Sequence, residues 1–334
     1  MYSELEKTRN TQYLNILKEF PEYRTLFKFE KFNEAIAKTS IFRINTVLSN
    51  LIQNTKYDKI TRPLPVLVSS EIESTQLFDI LKAKVQDGRL IHVPSPPESV
   101  GIFYHVYNCL IEEFGLDVLE EISEKIQSQN LPKRGCVKAI TEYLHDEDKK
   151  DAVIRWFLGE KLSIDEKNLL RLEDIEADDK SLEMIKLISN VSNEVLLLYF
   201  DDIELPYKQH GEHAEIKFLE ALKRLQRDVK QLVILLICSR KLWPTILNLT
   251  DGAFSTILGP QMEFYDFSQI KVYIAQVMDG YWKNNGMNLP ENKYFPFNEK
   301  LLDLFFEQSD GNIRKFLKIF ITMLDKIVSG AALL

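Results

Sequence analysis

The chain has 334 residues, of which 45% are hydrophobic and 28% charged, a composition that excludes a disordered or fibrous protein. The net charge of −8 disfavours a nucleic-acid binder that uses its whole surface, and the 12 glycines disfavour several phosphate-binding glycine loops. Three widely spaced cysteines favour a reducing compartment, and we expect a cytoplasmic or nucleoid-associated protein. No signal peptide or membrane span is predicted, because the amino terminus is polar and the apolar runs are short.

The first half of the chain predicts helices followed by two strands. Residues 1–58 have apolar residues at helical spacing and form a predicted helical arm. Short apolar runs at 65–68 and 90–93 predict two strands, and residues 74–86 between them have the pattern of a helix. Residues from about 100 to 180 have helical patterns and are interpreted as an insertion into the sheet-forming core.

Two continuous apolar runs, at 195–200 and 232–238, predict parallel strands that are buried on both faces. The amphipathic segment 212–230 between them completes a βαβ unit. A fifth strand is predicted at 262–265, and helices follow it. The fold class is therefore α/β, with a parallel five-stranded sheet flanked by helices. The predicted domains are the arm at 1–58, the core at 59–267 and a helical lid at 268–334.

The strand at 195–200 ends in two carboxylates, Asp201 and Asp202, and this is the strongest local motif of the sequence. Such residues project toward the crevice where α/β proteins bind ligands. One interpretation is a Mg²⁺ site with Asp201 as a ligand. The other is a structural role, in which Asp201 or Asp202 caps the following turn.

Two further motifs follow in the chain. The strand at 232–238 ends in Ser239, and Arg314 lies near the start of a helical segment that Ser309 or Asp310 is expected to cap after a Gly311 entry. In this order the motifs resemble those of AAA+ ATPases of the P-loop superfamily. The similarity is to the initiator-like branch of origin-recognition proteins, transposition regulators and STAND-type ATPases.

The resemblance covers most of residues 30–330 and implies an AAA+-like sheet with a helical lid. It implies that Asp201 and Asp202 end a Walker B strand, that Ser239 is a sensor 1 residue near the γ-phosphate, and that Arg314 is a sensor 2 arginine on the lid. An arginine finger is expected in the stretch 251–258, but that stretch contains no arginine.

The Walker A loop is where the sequence departs from the family. A GxxxxGK[ST] loop binds phosphates through backbone amides and a lysine. After residues 65–68 the chain instead has Ser69-Ser70-Glu71-Ile72-Glu73-Ser74-Thr75-Gln76, and no glycine occurs from 51 to 87. Glutamates near a triphosphate would repel it. The resulting vestigial nucleotide site comprises Ser70, Glu73, Thr75, Gln76, Ser239 and Arg314.

The sequence therefore predicts a catalytically degenerate, ATPase-like subunit that acts as a structural or regulatory protein-interaction module. Its expected partner is itself or an active AAA+ ATPase. No cofactor is expected, and weak binding of ATP and Mg²⁺ stays an alternative.

Two other functions stay open. One is a DNA-associated factor of replication, transposition or mobile-element defence, although the basic side of the 212–230 helix is interpreted as a solvated face. The other is a metal-dependent α/β enzyme that uses Asp201, Asp202 and Glu204. A metal site at His210 and His213 is disfavoured, because no third ligand is visible.

Overall fold

The computed structural model describes residues 4–68, 71–96, 101–129, 135–249, 258, 262–263, 267–309 and 312–331. For residues 4–9, 29–30, 32–42, 71–73, 76, 128–129 and 263 only the backbone is described. The chain forms two compact units. One comprises Met1–Ile44, Val68–Glu73 and Glu263–Leu334, and the other comprises Asn45–Leu67 and Ser74–Met262. The division into arm, core and lid stays a prediction.

Four strands form a parallel sheet flanked by helices, which confirms the predicted fold class in its main features. They are β1 (Arg62–Val68), β2 (Gly88–Val93), β3 (Val195–Phe200) and β4 (Leu232–Ser239), in the order β2-β3-β4-β1. The prediction of five full strands is wrong. At the fifth position, beside β1, the structure has only the two-residue segment Met262–Glu263, which we call β5. Two residues supply too few ladder hydrogen bonds to act as a full strand.

The helices account for most of the remaining chain. In chain order they are α1 (Glu4–Glu19), α2 (Tyr23–Leu26), α3 (Phe29–Asp58), α4 (Glu71–Lys84), α5 (Ile102–Phe114), α6 (Asp117–Gln129), α7 (Gly135–Lys138), a π-helical turn (Ala139–Tyr143), α8 (Lys150–Phe157), α9 (Ile164–Leu170), α10 (Asp178–Val191), α11 (Leu205–His210), α12 (Glu212–Asp228), α13 (Trp243–Asn248), α14 (Phe267–Asn284), α15 (Glu299–Gln308) and α16 (Ile313–Val328).

The central strands are buried along their whole length, as their continuous apolar runs predict. Every residue of β3 is buried, and so is every residue of β4 except Ser239. The Thr61 hydroxyl donates to the Val229 carbonyl at 2.6 Å and accepts from the Leu232 amide at 3.2 Å. These bonds join the start of β1 to the start of β4, as expected when neighbouring strands run in the same direction.

The beginning of β2 requires a glycine. A Cβ atom at Gly88 would lie 2.4 Å from the Leu197 Cδ1 atom and 2.9 Å from the Val195 carbonyl oxygen. Because Gly88 pairs with Val195 in the parallel ladder, a side chain there would push β2 away from β3.

Helices cover both faces of the sheet. Tyr199 of β3 contacts Phe78 of α4, with 5.2 Å between the ring centroids, whereas Phe200 contacts Phe218 of α12 at 6.1 Å. Successive strand residues point to opposite faces. It follows that α4 covers one face and α12 covers the other.

The helical stretch between β2 and β3 forms much of the hydrophobic core, including Trp156 and Tyr107. The Trp156 indole N–H donates to the Glu173 carbonyl at 2.9 Å, and the Tyr107 hydroxyl donates to the Phe157 carbonyl at 2.6 Å. A capping box begins α9, in which the Ser163 hydroxyl accepts from the Glu166 amide and the Glu166 carboxylate accepts from the Ser163 amide.

The unit that contains both chain ends has an aromatic core. The Tyr13 and Trp282 rings contact edge to face with 5.2 Å between centroids, and the Phe297 and Phe320 rings lie 5.0 Å apart. The Tyr23 hydroxyl donates to Asp325 at 2.7 Å, which joins α2 to α16. The aromatic residues between positions 281 and 297 are therefore core within this unit: Tyr281, Trp282, Tyr294, Phe295 and Phe297 are all buried.

Candidate functional site

Asp201 directly follows β3, and its carboxylate is held by two side chains from other elements. The Ser74 hydroxyl, in the first turns of α4, donates to Asp201 Oδ1. The His92 Nε2 atom, on β2, lies 3.5 Å from Asp201 Oδ2. Burial alone would raise the pKa of Asp201, but the hydrogen bonds from His92 and Ser74 outweigh it and the pKa is lowered. Asp201 is therefore a charged acceptor with partners on both oxygens.

Tyr199, two residues before Asp201, contacts Ser74 as well. Its hydroxyl donates to the Ser74 carbonyl at 2.8 Å and lies 3.3 Å from the Ser74 hydroxyl. Burial raises the pKa of Tyr199, so the phenol stays protonated and can donate. We call Ser74, His92, Tyr199 and Asp201 the Asp201 cluster. It lies on the face of the sheet that α4 covers.

The connection from β1 to α4 is short, and α4 begins with acidic residues. β1 ends at Val68 and α4 begins at Glu71, so two residues separate them, and the helix begins before the predicted Ser74. A P-loop needs more residues to curl its backbone amides around phosphates. Glu71 and Glu73 fall in the first turn of α4, where carboxylates complement the helix dipole and compete with an anionic ligand.

The four residues predicted for the phosphate loop have separate outcomes. Ser70 lies outside the described residues. Glu73 and Gln76 lie in α4, and the structure describes only their backbone. Thr75 is on the exposed surface of α4. The residue that the structure brings to Asp201 is Ser74, which was not among the predicted site residues.

Asp202 and Glu204 point away from the Asp201 cluster. Asp202 has a left-handed backbone conformation, with φ 54°, that turns the chain sharply after β3. The Lys208 ammonium lies 3.1 Å from Asp202 Oδ1 and 3.1 Å from Glu204 Oε1. The Ser239 backbone N–H, at the predicted sensor position, donates to Glu204 Oε1 at 2.9 Å.

The structure places a second buried carboxylate, Glu215 of α12, in the same region. Glu204 is 1% exposed and Glu215 is fully buried. Glu215 Oε2 accepts from the Tyr207 amide at 3.0 Å. Within the described part of the chain, Glu204 Oε2 and Glu215 Oε1 have no hydrogen-bond partner. We call Glu204, Glu215 and Lys208 the buried carboxylate group.

Burial raises the pKa of both glutamates in this group. Desolvation is the main cause for each, and it raises the pKa of Glu215 to about 8, with the nearby Glu204 charge adding to the shift. The pKa of Glu204 is raised by desolvation and by the Asp202 charge. The Cys238 thiol next to Glu204 is buried, and its pKa is raised by desolvation. It is a core thiol rather than a nucleophile.

The three carboxylates of the metal-enzyme hypothesis, Asp201, Asp202 and Glu204, do not form a single site. Asp201 bonds to α4 and β2, whereas Asp202 and Glu204 share Lys208, so the three carboxylates do not converge on one point. Among the described residues there is no group of three or more His, Cys, Asp or Glu side chains placed to hold a metal ion. The two residue types that hold Mg²⁺ in P-loop NTPases, a hydroxyl and an aspartate, bond to each other here.

The predicted lid motif differs in its cap. Asn312 caps α16 by accepting from the Lys315 amide at 3.0 Å, so the prediction that Ser309 or Asp310 is the cap is wrong. Ser309 instead ends α15, and its hydroxyl donates to the Phe306 carbonyl. Arg314 is the second residue of α16 and is exposed. Asp310, Gly311 and residues 251–257, where an arginine finger was expected, lie outside the described residues.

The basic side of α12 is partly neutralised. Arg224 pairs with Asp179 and lies 3.6 Å from Asp228, and Arg227 lies 2.7 Å from Asp228.

In comparisons with protein-family models, curated proteins and solved structures, nothing matches the chain. No helix in the described residues is long and apolar enough to cross a membrane.

Sequence reasoning missed Ser74, His92, Lys208 and Glu215. A signal for Glu215 is present, because it lies one helical turn before Leu219 and therefore on the buried stripe of α12. His92 and Ser74 carry no such signal. His92 meets Asp201 because His92 pairs with Tyr199 in the β2–β3 ladder, a register that spans about a third of the chain.

Proposed function

We propose that the chain is a catalytically degenerate, AAA+-like subunit that acts as a structural or regulatory protein-interaction module. The observation that carries the proposal is the hydrogen bond from Ser74 to Asp201. In P-loop NTPases a serine or threonine that opens the helix after β1 and an aspartate after a buried strand share Mg²⁺. Here a serine in the helix after β1, Ser74, and an aspartate directly after β3, Asp201, form a hydrogen bond with each other.

The sheet order supports the relationship to AAA+ ATPases. Two motifs of the resemblance, Asp201–Asp202 and Ser239, lie at the ends of β3 and β4, and the position of the replaced Walker A loop follows β1. These strands are neighbours in the order β3-β4-β1. In a parallel sheet their carboxyl ends meet at one edge, where α/β proteins bind ligands. The three positions that the resemblance assigns to a nucleotide site therefore fall at the ends of neighbouring strands.

The loss of nucleotide chemistry has separate support. Two residues join β1 to α4, and glutamates occupy the helix terminus that would face phosphates. The residues present do not fit Mg²⁺ or a triphosphate, because Asp201 is already bonded to Ser74 and His92.

A role in protein interaction is consistent with its surface. Leu158, Ile164 and Leu169 are 47%, 78% and 54% exposed within a short stretch at the end of α8 and along α9. We propose that the partner is a second copy of the chain or an active AAA+ ATPase, in a reducing compartment that suits three free, buried cysteines. The DNA-associated alternative has less support, since Arg224 and Arg227 are ion-paired.

The proposal is tested by ATP turnover and light scattering on the purified chain. We expect no ATP hydrolysis above the background of the Asp201→Asn variant. In size-exclusion chromatography with light scattering, we expect a mass that rises with protein concentration or on addition of an active AAA+ ATPase, and that Ile164→Asp reduces. Turnover that Asp201→Asn abolishes would contradict the proposal, as would a monomer under every condition.

A further inference from the structure

A cleft of about 540 Å³ opens beyond the carboxyl ends of β2 and β3. Ser95 and Pro96, just after β2, and Pro206, after β3, line one part of it, and α12 lines another. Its volume is within the range of roughly 300–1,000 Å³ found for small-molecule sites. The region beyond the carboxyl ends of parallel strands is also where α/β proteins bind ligands.

The cleft is separate from the Asp201 cluster. It is lined by Phe218 of α12, the residue that packs against Phe200 on one face of β3. Tyr199 and the Asp201 cluster lie on the opposite face, under α4. A ligand in the cleft would therefore touch neither Ser74 nor Asp201, and its binding is independent of the proposed loss of nucleotide chemistry.

The floor of the cleft is apolar and its space comes from small residues. Ile102 is half-buried in this floor, and Phe103 and Phe218 beneath it are almost fully buried, at 3% and 2% exposed. Ala214 and Ala221 of α12 also line the cleft, and a larger side chain at either position would project into it. Such a floor suits an apolar ring system or chain, because burying apolar surface contributes roughly 25 cal/mol per Å².

The two ends of the cleft carry different charge. His213, Lys217 and Arg224 line it along α12, and at about 1.5 Å per residue His213 and Arg224 are roughly 16 Å apart. At the Arg224 end the charges are balanced, since Arg224 stacks on Phe103 with 5.2 Å to the ring centroid and pairs with Asp179. Of the carboxylates that line the cleft, Asp178 is next to Asp179 in sequence, and Glu220 lies between Lys217 and Arg224, about one helical turn from each.

The opposite end is basic. His210, His213 and Lys217 line it, and in the part of the chain that the structure describes Lys217 has no ion-pair partner. An unpaired cation beside an apolar floor is complementary to a ligand with an apolar body and an anionic group. We propose that the cleft binds a small amphipathic carboxylate, with its apolar body against Ile102, Ala214 and Ala221 and its carboxylate at Lys217.

The test uses two probes that differ only in charge, 2-naphthoate and the neutral 2-naphthamide. Their binding to the full chain is measured by isothermal titration calorimetry and by protein NMR shifts. The variants are Lys217→Gln, which removes the cation, Ala221→Phe, which fills the cleft, and Lys230→Gln as a matched control. Lys230 is exposed near the end of the same βαβ unit and does not line the cleft.

We expect saturable binding of naphthoate that is tighter than that of naphthamide. Lys217→Gln should weaken naphthoate by about two- to fivefold, the range for an exposed charge pair, and leave naphthamide unchanged. Ala221→Phe should abolish binding of both, and Lys230→Gln should change neither. The proposal is overturned if neither probe saturates, if both bind equally and Lys217→Gln has no effect, or if Ala221→Phe binds naphthoate while retaining the wild-type circular dichroism spectrum.

Discussion

Asp201 of the Asp201 cluster and Glu204 of the buried carboxylate group are three residues apart in sequence, yet their pKa values are shifted in opposite directions. Asp201 has hydrogen-bond partners on both oxygens, and its pKa is lowered despite burial. Glu204 and Glu215 are more deeply buried, each has an oxygen without a partner among the described residues, and their pKa values are raised.

The difference shows that burial alone does not decide the charge of a carboxyl group at this edge of the sheet. Asp201 has a partner on each oxygen, whereas Glu204 and Glu215 each keep one oxygen without a partner among the described residues. Because both of its oxygens have partners, Asp201 has a structural role and connects the end of β3 to α4 and β2. A carboxylate with an unsatisfied oxygen carries a desolvation penalty that protonation relieves. The buried carboxylate group therefore holds a proton near neutral pH.

The largest expected effect is on the buried carboxylate group. The folded-state pKa of Glu215, about 8, lies above its ordinary value of 4.5, so the folded chain binds the proton more tightly than the unfolded chain. The free energy of unfolding should then fall as pH rises from about 4.5 to 8, by about 2 kcal/mol between pH 6 and 8. Glu215→Gln should remove this slope and be more stable than wild type at pH 8.

Urea denaturation from pH 5 to 9 measures this slope. Glu212→Gln is the matched control, because Glu212 is exposed in the first turn of the same helix. A Glu215→Gln variant with the wild-type pH dependence would mean that Glu215 is ionised in the folded chain.

The next effect separates two adjacent aspartates. Asp201→Asn should lower the free energy of unfolding at pH 7 by about 1.5 kcal/mol, since it weakens charge-assisted hydrogen bonds from Ser74 and His92. Asp202→Asn should change it by less than about 0.5 kcal/mol, because asparagine tolerates the left-handed conformation and the Lys208 pair is partly exposed.

Because the Asp201 pKa is lowered, its contribution is present above the ordinary pKa of 3.8 and is lost as pH falls through the folded-state value. Denaturation at pH 7 and pH 3 should therefore show the Asp201→Asn difference shrinking in acid. Equal effects of the two asparagine substitutions at pH 7 would remove the distinction between these neighbours.

The smallest expected effect is the coupling between Ser74 and Asp201. A double-mutant cycle of Ser74→Ala and Asp201→Asn should give a coupling energy of about 1 kcal/mol, since the two side chains bond directly. The same cycle with Thr75→Ala should give a value near zero, because Thr75 is exposed on α4. Equal coupling for Ser74 and Thr75 would show that the hydrogen bond contributes nothing specific.

Much of the fold could be predicted from local pattern. The strands at 195–200 and 232–239 agree with prediction to within one residue, because continuous apolar runs bounded by polar residues leave few alternatives. The helix at Glu212–Asp228 agrees with the predicted segment 212–230 to within two residues. The fifth strand failed because residues 262–265 are too short a run to separate a strand from an extended loop.

The candidate site could be predicted only in part. Asp201 was found because it follows a buried strand. Its partners were not, because Ser74 and His92 reach it through the order and register of strands far apart in sequence. Glu215 was missed for a different reason. A charged residue is normally expected on the solvent-facing side of an amphipathic helix. Glu215 is buried instead, and its Oε2 atom accepts a hydrogen bond from the Tyr207 amide.

The most direct measurement is an isothermal titration of the wild-type chain with Mg-ATP. Because Ser74 and His92 occupy the Asp201 carboxylate and glutamates open α4, we predict no saturable heat at nucleotide concentrations up to about 1 mM, where even weak complexes are detected. Micromolar binding that Asp201→Asn abolishes would contradict a degenerate nucleotide site.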